Sequence, residues 1–133
     1  MDLGARRHQA RQRALELLYE AQMKSRPVAA VLADLALAPD NYAVALVEAA
    51  EAHESRAEAL IREFSHDWPL ERLAVIDRLI MVLAIGEMLS PDAPPTPVIL
   101  NEAVELANEY STDDSGAFVN GVLAACARSL ASS

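Results

Sequence analysis

The side chains able to do chemistry in these 133 residues are few, and most of them stand alone. Four arginines, Arg6, Arg7, Arg11 and Arg13, crowd the N-terminal segment. A guanidinium fork matches phosphate geometry and its plane stacks on bases, so this set suits a polyanion. A solvated helix start that is merely arginine-rich satisfies the same pattern. The histidines His8, His53 and His66 fall on different predicted helices, with no i, i+3 or i+4 pair to place two imidazoles on one ion. No metal site is expected. The single Cys126 sits on an apolar helical face, which favours a core thiol and excludes an intramolecular disulfide. Asp113 and Asp114 are the one adjacent acid pair. A helix N-terminus stabilises both as anions, whereas acid–base work needs their environments to differ, so capping is expected. Gly4, Gly86, Gly116 and Gly121 make no phosphate loop. Without a nucleophile, base or metal set, no enzyme is expected. Tyr110 and Phe118 bracket Ser111–Ser115. Exposed there, they would stack single-stranded bases; buried, they are core aromatics.

The elements that must position these groups read as helices. Alanine occurs 26 times and glycine four times, and prolines at 27, 39, 69, 91, 94, 95 and 97 punctuate the chain. The segments between them predict helices over 5–25, 27–37, 40–66, 70–90, 96–110 and 112–130. Ala10, Ala14, Leu17, Leu18 and Ala21 form one apolar stripe on the first. The third carries Tyr42, Leu46, Ala49, His53, Ala57, Leu60, Ile61 and Phe64, and unbroken it would run about 40 Å. Val75, Ile76, Leu79, Ile80, Val82, Leu83, Ile85 and Met88 point in nearly every direction, which predicts a central buried helix. Thr96-Pro97 reads as an N-cap and first helical position, and Ser111 to Asp114 as a capping box. The fold class is all-α.

Composition agrees with a folded domain: 53% of residues are hydrophobic and 23% charged. The net charge of −9 is unevenly spread. Residues 1–26 hold six bases against three acids, and the remainder five bases against 17 acids. A basic end on an acidic body receives a polyanion locally and discourages indiscriminate binding. The uncharged apolar run from Leu79 to Gly86 is far too short to span a membrane, and no signal peptide is apparent, so a cytoplasmic location is expected.

Several blocks together form a recognisable pattern. They are Ala5-Arg6-Arg7, Ala10-Arg11, Ala14 to Tyr19, Trp68, and Val75-Ile76-Asp77-Arg78. Two more follow at the C-terminal end, Val98 to Ala107 and Asp113-Asp114-Ser115 through Phe118 to Leu123. The pattern resembles the NusB family (N utilization substance protein B) of bacterial transcription antitermination factors, from about residue 5 to residue 128. The resemblance implies one domain over 1–133, built as two three-helix halves (about 1–67 and 68–133). It implies a non-catalytic role in antitermination, chiefly during ribosomal RNA transcription, without a cofactor. A small-subunit ribosomal protein in its NusE role would be the partner. The pair would hold boxA of nascent RNA and join RNA polymerase with the other Nus factors. Carried over by position, the RNA face falls on Arg6, Arg7, Arg11, Tyr19, Tyr110, Asp114 and Phe118, and a partner contact on Asp77. Valine at 82, asparagine at 108 and alanine at 117 stand where the family has cations, and glycine at 86 where an aromatic is common. Each missing cation would remove a phosphate contact, leaving the partner to supply charge.

Two other readings fit the same residues. RNA cytosine methyltransferases carry an N-terminal domain resembling this family, which would bind ribosomal RNA without antitermination. Alternatively, a self-associating homodimer would mask its RNA face until the partner arrives.

Overall fold

The computed structural model describes residues 2–66 and 68–132, and every regular element among them is helical. Seven α-helices are joined by short connections: α1 (Leu3–Lys24), α2 (Val28–Ala33), α3 (Asn41–Ala52), α4 (Glu54–Phe64), α5 (Val75–Met88), α6 (Thr96–Tyr110) and α7 (Ser115–Ala131). A single 3₁₀ turn, Leu70–Arg72, leads into α5.

The central helix is the one whose apolar residues leave no polar side. Every residue of α5 from Leu79 to Glu87 is buried, and α1, α3, α4, α6 and α7 all pack against it. On α1 the expected stripe faces inward at Ala10, Ala14, Leu17 and Ala21. Ile99, Ala103, Leu106 and Ala107 of α6 meet Val119, Val122, Leu123 and Cys126 of α7 in the same continuous core.

The predicted 40–66 helix is two helices. His53 leaves helical geometry at φ −109° and ψ 12°, ending α3 with its amide on the Ala49 carbonyl. Its own carbonyl then accepts from Ala57 in α4. Neither proline nor glycine breaks the run; the packing does. α3 lies against α1 and α5, whereas α4 lies against α5, α7 and the 3₁₀ turn, and one straight rod cannot reach both sets. Glu54 in the first turn of α4 complements the new helix dipole.

Gly86, at the position where an aromatic is common in the family, has a structural role of its own. A Cβ there would lie 2.9 Å from the Ala50 nitrogen and 3.0 Å from the Ala49 carbonyl carbon. Glycine lets α5 and α3 touch backbone to backbone. Val82 is buried in the same helix.

Candidate functional site

Asp2 opens α1 by accepting the Ala5 amide at 2.7 Å, which fixes the start of the arginine segment. The arginines then separate into different environments. Arg6 is exposed. Arg7 is half-buried, its guanidinium carbon 4.9 Å from the centre of the Tyr42 ring, within cation–π range. Arg13 pairs with Glu16 across one helical turn at 3.5 Å.

Arg11 corrects the sequence reading. It does not stand on an exposed RNA face but is 3% exposed, forked onto Glu87 through Nε–Oε1 at 2.9 Å and Nη2–Oε2 at 2.6 Å. Glu87 is equally buried and also accepts from the Tyr42 hydroxyl. Burial opposes the Arg11 charge, but the Glu87 carboxylate outweighs it and the net shift is upward. Burial, reinforced by the same carboxylate, pushes the Tyr42 phenol up to about 12. This guanidinium is committed to holding α1, α3 and α5 together and is not presented to a phosphate.

At the other end of α6, Tyr110 sits partly on the core, and its hydroxyl donates to Glu16 on α1 at 3.1 Å. Burial, with the Glu16 charge behind it, pushes this phenol to about 12. The expected capping box is absent. Asp114 precedes α7 without any side-chain bond to the helix amides, and the helix runs from Ser115. The hydroxyls here serve Asp77 instead. Ser115 donates to Asp77 Oδ2 at 3.0 Å. Ser115 has one proton to give, so the Ser111 and Thr112 hydroxyls, at 2.9 and 3.0 Å, donate to its lone pairs. At the start of α6, Pro95 takes the cap position and Thr96 is already helical, one residue from the expected boundary.

Asp77 is 8% exposed, and its second oxygen, Oδ1, is buried without a hydrogen-bond partner. It lies in the wall of an open cavity of about 310 Å³ that also has Trp68, Arg72, Asp114, Ser115 and Phe118 in its walls. Trp68 is 53% exposed and Phe118 half-buried, so the cavity offers aromatic surface beside an unmatched carboxylate oxygen. The structure thus brings Asp77, Asp114 and Phe118 together in this cavity, and Arg7 to Tyr42. Tyr19 stands exposed on α1, and Tyr110 is tied to that helix through Glu16.

Sequence reasoning missed Glu87 and Trp68 as participants. Glu87 had a signal, being an acid that directly follows the uncharged apolar run from Leu79 to Gly86. Trp68 belonged to the pattern that carries the resemblance but was given no role there, and it enters the site only because it lines the same cavity as Asp77 and Phe118.

A model of the NusB family matches residues 8–128. The chain belongs to the NusB family. The transcription antitermination protein NusB of Acidothermus cellulolyticus is 43% identical over 123 residues, covering 90% of this chain and 85% of that protein. That of Streptomyces coelicolor is 40% identical over 128 residues, covering 90% of each. The solved NusB of T. maritima superposes with a TM-score of 0.82 at 27% identity, over 92% of this chain and 90% of that one. The fold is also that of NusB in a crystal structure of antitermination factors NusB and NusE with double-stranded RNA, with a TM-score of 0.78 at 22% identity, over 96% of this chain and 99% of that one. Transcription antitermination is accordingly the function of this family member. No helix among the described residues is long and apolar enough to cross a membrane.

Proposed function

We propose that this chain performs antitermination as a non-catalytic, cytoplasmic RNA-binding factor. It takes single-stranded boxA-type RNA jointly with the ribosomal protein in its NusE role, ahead of the other Nus factors and RNA polymerase. The observation that carries the reading is the cavity at the start of α7, where Phe118 and exposed Trp68 flank the unmatched Asp77 oxygen. Aromatic faces stack unstacked bases of any sequence, and a buried acceptor rewards a donor from a base or a basic partner. Arg6 and Arg7 supply the phosphate contacts, and Tyr19, Tyr110 and Asp114 complete the face. Arg11 acts behind this face, through Glu87. The acidic remainder of the chain repels non-specific nucleic acid and suits a basic ribosomal partner.

Phe118→Ala tests the reading. Loss of one base–aromatic stack should cost about 1–3 kcal/mol of RNA binding, measured on the folded fraction with unfolding followed in parallel. Unchanged RNA affinity in folded protein, with only the melting temperature reduced, would make Phe118 a core residue and nothing more.

A further inference from the structure

The contact between α1 and α6 carries a second constellation, away from the cavity. His8 of α1 faces three carboxylates of α6. Its Nδ1 is 2.6 Å from Glu102 Oε2 and 3.5 Å from Glu105 Oε2, and its Nε2 is 2.7 Å from Glu109 Oε1. Positions 102, 105 and 109 share one helical face, so they approach the imidazole together.

We propose that His8, Glu105 and Glu109 form a binding site for a divalent transition-metal ion of the zinc class, with Glu102 orienting the imidazole. Three observations support it. One ligand atom from each of the three residues lies within 4.8 Å of the others, the one such group among the described residues. Zinc ligands stand about 2.0–2.2 Å from the ion and so roughly 3.4 Å from one another, which asks the three atoms to draw together by about an ångström, and both glutamates are exposed enough to move. Glu102 is the least exposed of the three carboxylates, and Arg11 Nη1 lies 3.6 Å from it. A histidine that ligates a metal ordinarily gives its other ring N–H to such a carboxylate, which leaves Nε2 beside Glu109 for the ion, with the exposed Glu105 side chain turning from Nδ1 to join them.

The third observation is charge. Three carboxylates converge on one imidazole, while the nearest guanidinium is already forked onto Glu87 and Gln12 offers Glu109 only a neutral amide at 2.6 Å. A dication balances that excess. One imidazole nitrogen with two carboxylate oxygens favours zinc, cobalt or nickel over magnesium and calcium, which take all-oxygen shells. The missing histidine pair excluded only a two-imidazole site. This one needs the α1–α6 contact.

Calorimetric titration of the chelator-treated full chain with Zn²⁺ tests the proposal, alongside thermal unfolding and the visible spectrum of the Co²⁺ form. The expected result is one saturable equivalent, a raised melting temperature, and no displacement by Mg²⁺. Glu105→Gln should weaken Zn²⁺ roughly tenfold or more. Its carboxylate is exposed and meets only His8, so that variant tests the site even where His8→Gln fails to fold. His8→Gln should abolish the equivalent, while His53→Gln and His66→Gln should leave it unchanged. No saturable Zn²⁺ binding, or binding unaltered by both Glu105→Gln and His8→Gln, would overturn the assignment.

Discussion

Removing the Arg11 guanidinium should damage the fold itself, and the size of the effect follows from its surroundings. The Arg11 and Glu87 side chains are 3% and 4% exposed and share two short, charge-assisted hydrogen bonds. Two unit charges about 4 Å apart attract by about 4 kcal/mol at the effective dielectric that describes protein sites. Arg11→Ala deletes that attraction and leaves a buried carboxylate with the Tyr42 hydroxyl as its remaining close donor. Breaking one partner of such a pair costs about 3–5 kcal/mol. Urea unfolding followed by circular dichroism should show that loss, and the melting temperature should fall by roughly 10–20 °C. A companion variant separates the loss of a pair from the loss of packing. Arg11→Met with Glu87→Leu and Tyr42→Phe should recover most of the stability, because an apolar set of similar volume avoids the desolvation of both ions. An Arg11→Ala protein within about 0.5 kcal/mol of the parent, yet weakened in RNA binding, would refute this and return Arg11 to the phosphate path.

Two further outcomes concern the interior. Gly86→Ala should destabilise by about 1–3 kcal/mol, since its methyl meets α3 backbone, whereas Gly121→Ala, with nothing within 4 Å, should stabilise by up to about 1 kcal/mol; denaturant midpoints of the two variants should therefore move in opposite directions. Cys126 should resist alkylation at pH 8 in native protein and react promptly in urea, because burial, reinforced by Glu63, pushes its thiol up to about 11. That raised value contributes stability in full below the unfolded thiol pKa and loses it as pH rises through about 11, so alkaline unfolding should begin in that range.

The elements were largely legible because local chemistry decides them. Prolines mark the boundaries of α2, α3 and α6, and the apolar run of α5 admits no surface position. The break at His53 was not legible, because its sequence is helix-competent and only the separate destinations of α3 and α4 split it. The capping box failed for a related reason. Its hydroxyls are drawn to Asp77, 38 residues away from Ser115, a pairing that no short-range pattern contains. The candidate site divides in the same way. Residue type and resemblance pointed to Arg6, Arg7, Tyr110 and Phe118, but burial could not be read for Arg11. An arginine on such a helix is exposed unless a distant acid on a neighbouring helix meets it, and Glu87 of α5 does.

The proposed RNA face has Arg6 and Arg7 meeting RNA at the surface while Arg11 works from within. A salt-resolved titration of boxA-like RNA against a scrambled control, with and without the ribosomal partner, tests it on one pair of variants. Arg6→Ala with Arg7→Ala should lower the magnitude of the salt slope by about 1.4, two single-strand phosphate contacts at about 0.7 each, with the melting temperature nearly unchanged. The partner should raise affinity for boxA-like RNA more than for the control. An unchanged slope in that double variant, or equal affinity for both RNAs in the presence of the partner, would contradict this division of roles.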